Sequence, residues 1–148
     1  MSYRMAIHVL VLASLLAHCA CTGANRAMAE PAPPPGAILP YPSDGPLMTA
    51  ALFTLADLRS RLQAHYKSPL DAHRYAVPNT TRWHSVIEHY TRELGADWHV
   101  DPHYAEESGQ RYRSMVWTDG DHVVAIALNE SPTGAEHALT ILFSDEKR

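Results

Sequence analysis

The sequence predicts a two-layer α+β domain: two helices followed by an antiparallel β-meander of three to four strands. Three observations carry this reading. Apolar residues recur at helical spacing between Leu55 and Leu94. They then alternate at strand spacing toward Phe143. Between two of the alternating runs lies Asp119-Gly120, a strong hairpin signal. Helices grouped ahead of strands belong to the α+β class rather than to a parallel α/β fold.

In the first helix, Thr54-Leu55-Ala56-Asp57 has the form of a capping box, with Leu55, Leu58, Leu62 and Tyr66 on one stripe behind it. Ser68-Pro69 is expected to end it. Leu47–Phe53 reads either as a strand or as a backward extension of that helix. A loop carrying Pro69 and Pro78 follows, and Asn79-Thr80-Thr81 offers N-caps for the second helix. There Trp83, Val86, Ile87, Tyr90 and Leu94 fall on one face, and Gly95 stands where a C-terminal glycine belongs. Its buried face should meet a sheet. Asp97–Tyr104 reads as an edge strand because of Pro102. Gln110–Thr118 and His122–Asn129 flank the hairpin, and a two-residue Asp119-Gly120 turn would set Trp117 opposite His122 and Met115 opposite Val124. A last strand runs from Glu136 to Phe143. One sheet face then carries Met115, Trp117, Val124, Ile126, Leu128, Leu139, Ile141 and Phe143, the core against the helices. The other carries Tyr112, Ser114, Val116, Val123, Ala125, Ala127 and Thr140, a flat face of small residues.

The chain has 148 residues, enough for one domain with tails and too few for two enzymatic domains. Its N-terminus reads as an export leader: Arg4 precedes an apolar run from Met5 to Ala17, too short for a comfortable membrane span. Residues 1–29 form a signal peptide if cleavage follows Ala27-Met28-Ala29. Alternatively, Leu16-Ala17-His18-Cys19 resembles a bacterial lipobox, with acylation at Cys19 or at Cys21. His18 departs from that pattern, which wants a small residue before the Cys. The Pro-rich residues 30–46 read as a linker that spaces the domain, residues 47–148, from a membrane. Both cysteines lie in the leader, so the domain has no disulfide, thiol nucleophile or Cys-ligated zinc. Removing Arg4 and Arg26 with the leader leaves 10 basic against 16 acidic side chains, a net charge of −6. That balance excludes nucleic acid as the expected partner.

Pro40-Tyr41-Pro42, the helix Val86–Gly95, Trp98 and the strands from Tyr112 to Phe143 together resemble small uncharacterised bacterial exported proteins. Here Ser43-Asp44-Gly45 follows the Tyr-Pro, where a small residue and a glycine or alanine are typical. The resemblance implies an exported α+β domain and assigns no catalytic residue.

Eight histidines remain beyond the leader. The sharpest arrangement is His99-Val100-Asp101-Pro102-His103, because alternate residues of a strand share a face. His99, Asp101 and His103, with Glu106 or Glu107, could so ligate a divalent metal, although neighbours on one face stand about 6–7 Å apart and chelation needs a bend. On the second helix His84 and Glu88 are four apart, the spacing of an exposed helical pair. No nucleophile, base and orienter can be assembled from the serines and acids, and no phosphate loop occurs. The expectation is an exported cell-envelope protein without cofactor, a non-enzymatic binding or accessory module of the inhibitor, immunity or assembly type. Its partner would be a protein or a cell-wall component. The face Tyr112, Ser114, Val116, Val123, Ala125 and Ala127 is the expected docking surface, so Ala125→Glu with Val116→Lys should abolish binding in a folded domain. The alternative is a metal-binding or metal-dependent protein built on the histidine strand.

Overall fold

The computed structural model of the protein describes residues 28–39, 45–66, 69–104 and 112–144. Helix α1 (Pro46–Gln63) comes first, then strand β1 (Leu70–Pro78), helix α2 (Trp83–Leu94), a short strand β2 (His99–Val100), and strands β3 (Arg113–Asp119), β4 (His122–Asn129) and β5 (Glu136–Ser144). The strands form one antiparallel sheet in the order β1-β5-β4-β3-β2. The fold is therefore α+β with an antiparallel sheet. Among the described residues it has five strands, and the first of them lies between the helices in sequence.

Pro46 starts α1 ahead of the expected capping box, after Gly45 at φ 121°. Proline suits the first helical position because its missing N–H has no partner there in any case. Thr54 thus falls inside the helix, where its hydroxyl accepts a hydrogen bond from Asn129 Nδ2 at 2.9 Å. Helix α2 matches its pattern and ends at Gly95, at φ 87° and ψ −173°. Its N-cap is Arg82 rather than Asn79-Thr80-Thr81, with no side-chain cap.

The expected loop after Pro69 is strand β1, which pairs with β5 along its whole length, from Leu70↔Ser144 to Pro78↔Glu136. In the β3–β4 hairpin Asp119 pairs with His122, so the turn is Gly120-Asp121, one residue later than expected. Gly120 sits at φ 58°, the positive φ that a tight hairpin turn needs at its first central residue. Trp117 consequently faces Val124 and Met115 faces Ile126. The one-residue shift of the turn leaves every side chain on its expected face.

Each sheet face has its own core. On one, Tyr75, Val77, Trp117, Val124, Ile126, Leu128, Leu139, Ile141 and Phe143 pack with Trp83, Val86 and Tyr90 of α2. On the other, Leu70, Val116, Val123, Ala125, Ala127 and Leu142 pack with Leu58 and Leu62 of α1. The sheet is thus covered on both sides, in three layers instead of two. Full burial of each leucine contributes about 2 kcal/mol to holding α1 down.

Candidate functional site

The face expected to dock a partner is occupied by α1. Val116, Val123, Ala125 and Ala127 have no exposed surface, Tyr112 is buried, and Ser114 is half-buried. Small side chains make the face flat, and flatness lets a helix backbone approach the sheet closely. The Tyr112 hydroxyl donates to the Asp57 carboxylate on α1, and Asp57 stands 3.8 Å from Arg61. Burial and the bond to Asp57 push the Tyr112 pKa up to about 12.

The His-x-Asp-x-His segment does not stay extended. His99 and Val100 pair with β3, the Asp101 N–H adds one bond to the Val116 carbonyl at 2.9 Å, and Pro102–Tyr104 then turn into a 3-10 helix. Asp101 is thereby swung inward, to 6% exposure, while His99 and His103 remain exposed. Asp101 Oδ2 accepts the Tyr66 hydroxyl at 2.6 Å, and Oδ1 accepts the His103 main-chain N–H and ring Nδ1–H, both at 2.9 Å. Burial by itself raises the Asp101 pKa, but these bonds from Tyr66 and His103 outweigh it and hold the carboxyl below its ordinary value. The His65 ring stacks 5.9 Å from His103 and meets Tyr104 edge-on at 5.8 Å. The Tyr104 hydroxyl in turn donates to the Arg61 main-chain oxygen at 3.0 Å. Tyr66, expected on the helical stripe of Leu55, Leu58 and Leu62, lies past the end of α1 at Gln63 and meets Asp101, and no local pattern in the sequence links His65 or Tyr66 to a residue 35 or more positions away. Among the described residues, no group of three or more His, Cys, Asp and Glu is placed to hold a metal ion. Glu106 and Glu107 lie outside the described residues, as do Cys19, Cys21 and Pro40-Tyr41-Pro42.

Residues 28 and 29, from the expected leader, and residues 30–38, from the expected linker (30–46), lie against the folded domain. Met28 and Ala37 pack against the core beneath α2, and Pro31 and Pro34 are buried. Glu30 is gripped at both oxygens: Oε1 accepts the Tyr75 hydroxyl at 2.7 Å, and Oε2 lies 2.5 Å from His73 Nδ1. Burial and this bond to Glu30 push the Tyr75 pKa up to about 12. From α2, His89 Nε2–H donates to the Ala32 carbonyl at 2.8 Å, while Glu93 accepts the Ala32 N–H at 3.3 Å. After a turn at Gly36 (φ 82°), Ile38 exchanges two main-chain bonds with Ala76, N–H to oxygen at 2.9 and 3.0 Å. A Cβ on Gly36 would make only ordinary contact with Pro78, at 3.4 Å, so it is the positive φ that favours glycine there. Together these contacts make a seam between α2 and the outer edge of β1 with a proline-rich segment lying in it. No protein-family model matches the chain, and no curated protein or solved structure is similar to it.

At another part of the surface, Asn79, Arg82, Glu130, Ser131, Pro132, Gly134 and His137 line an open groove of about 510 Å³. Its walls are tied to each other: Asn79 Nδ2 donates to the Gly134 carbonyl at 3.1 Å, and His137 Nδ1 accepts the Ser131 N–H at 3.0 Å. On α2, His84 and Glu88 form the expected pair at 3.0 Å on an exposed face. No described helix is long and apolar enough to cross a membrane.

Proposed function

We propose that the protein is a non-enzymatic binding or accessory module of the bacterial cell envelope, exported by its leader and held at a membrane through acylated Cys19 or Cys21. The observation that carries this reading is the seating of residues 28–38. A domain that grips a stretch of chain by side-chain-to-main-chain bonds has the elements of a surface for a protein or peptide partner. The position of Met28 favours the acylated form over cleavage after Ala29. Met28 packs against the α2-face core, and its Sδ lies 3.8 Å from Ser144 Oγ. Cleavage after Ala29 discards that side chain, whereas cleavage before either cysteine retains it. In the acylated form the chain from Cys19 to Met28 reaches at most about 30 Å. The domain then rides close to the bilayer, not at the end of a long spacer.

Intact-mass spectrometry of the protein from its own envelope tests this. The expected species begins at Cys19 or Cys21 and carries acyl chains. A species beginning at Glu30 overturns the anchor, and an uncleaved chain in the cytoplasmic fraction overturns the envelope reading altogether.

A second reading, metal binding, is favoured by one observation. Asp101 holds Nδ1 of His103, whose ring is otherwise largely exposed and stacks on the His65 ring, the way a carboxylate orients a ligating histidine. Zinc titration tests it: stoichiometric binding lost in His103→Ala and kept in His99→Ala supports it, and no binding by the unaltered protein removes it.

A further inference from the structure

We propose that the seam between α2 and the outer edge of β1 is a binding groove for proline-rich peptides, occupied here in cis by residues 28–38. The partner it fits is an extended proline-rich segment of an envelope protein with a carboxylate immediately ahead of its first proline. This rests on the binding-module reading and names its site and its partner.

The chemistry of the groove follows from what it does with its own chain. At one end a phenol and an imidazole, Tyr75 and His73, converge on a single carboxylate, that of Glu30. Such a pair of donors selects for an acidic side chain at that position. In the middle, His89 and Glu93 bond the carbonyl and the N–H of the same residue, Ala32. Those contacts read main chain and accept any small residue. On either side Pro31 and Pro34 are buried. Proline loses little conformational freedom on docking, so a surface that buries it gains contact at low entropic cost. At the far end β1 offers the N–H and carbonyl of Ala76, which Ile38 takes as the first rung of an added strand. An acidic anchor, main-chain bonds, proline contacts and strand pairing together describe a peptide ligand. Nothing in them requires the peptide to belong to the same chain.

Covalent attachment gives the cis segment a local concentration in the millimolar range, so a free peptide competes poorly until the segment is loosened. The test uses the full exported chain and a labelled peptide with the sequence of residues 28–39. Glu30→Ala weakens the cis occupant and leaves Tyr75, His73, His89, Glu93 and Ala76 in place. The expected result is peptide binding to Glu30→Ala at least about tenfold tighter than to the unaltered chain. Binding should weaken when the peptide's own glutamate is replaced by alanine, and again when His89→Ala is added to the protein. Equal binding to both chains, or binding insensitive to His89→Ala, overturns the proposal. A concentration-dependent dimer of Glu30→Ala chains without peptide binding also overturns it, in favour of segment exchange between copies. Ile38→Pro, which removes the N–H donated to Ala76 together with an exposed side chain and restricts the backbone there, repeats the comparison should Glu30→Ala fail to fold. Loss of peptide binding removes this groove alone, whereas the envelope reading fails only by the mass and fractionation result above.

Discussion

Asp101 gathers three hydrogen bonds onto one buried carboxylate and ties the loop after α1 to the turn after β2. Tyr66→Phe removes one of these bonds without changing shape, and should cost about 1.5–3 kcal/mol in urea unfolding. The pH dependence has a definite sign. A carboxyl held below its ordinary value stabilises the fold at neutral pH, and that contribution disappears as pH falls through the folded value. Asp101→Asn should therefore be less stable than the unaltered protein at neutral pH, with the difference narrowing in acid; parallel stability curves would contradict this. Gly95 is the second residue whose role is fixed by local geometry. At φ 87° and ψ −173° it occupies backbone space that side chains avoid, so Gly95→Ala should cost about 1–3 kcal/mol, measurable as a lowered Tm. Gly95 was legible because a glycine after a helical stripe has few other uses. Asp101 was legible as a residue of interest, but its role was not, since nothing local foretells Tyr66 as its partner.

Among the elements, α1 decides what the sheet can do. The alternation of β3, β4 and β5 identified both faces in advance, down to the buried set Val116, Val123, Ala125 and Ala127. Alternation says which residues share a face, not what lies on it. Helix α1, with Ala51 and Thr54 inward in its middle turns and Leu58 and Leu62 inward toward its end, fits that flat face. The pair Ala125→Glu with Val116→Lys, expected from sequence to leave a folded domain, should instead unfold it, because both charges enter a dry layer with no room for hydration. Circular dichroism of the double variant decides the matter, and a cooperative, native-like melt would show that α1 is not needed there. Leu58→Ala, which opens a cavity in the same layer, should cost about 2–5 kcal/mol. Strand β1 escaped notice for a related reason. Its outer positions Asp71 and His73 are exposed, and prolines bracket it, so its pattern resembles a loop until β5 is laid beside it.

Across the whole molecule, the described tyrosines all lean on burial or on carboxylates. Tyr66, Tyr75 and Tyr112 are each pushed up to about 12, by burial and by hydrogen bonds to Asp101, Glu30 and Asp57 respectively. Tyr90, on the buried face of α2, and Tyr104 are raised as well, chiefly by burial. For a phenol raised in the folded state, the stabilisation is complete below its unfolded value of 10.0 and is lost as pH rises through about 12. Absorbance titration should show tyrosinate forming late, together with unfolding, while stability in denaturant falls across that alkaline window. Early ionisation of these phenols in the folded protein would contradict the three carboxylate contacts, and with them the docking of α1, the loop after it and residues 28–38.

Local pattern was enough for the α+β class, the helix Trp83–Leu94 with its glycine stop, the presence of the β3–β4 hairpin, and the sheet face of the residues in β3, β4 and β5. These follow from periodicity and turn chemistry, which act over a few neighbouring residues. The packed fold was needed to see that α1 covers the flat face, that β1 completes the sheet, and that residues 28–38 lie against the domain. Each of those outcomes joins segments far apart in the chain. Local pattern encodes the surfaces that must be buried, but mutual fit in three dimensions chooses which surface meets which.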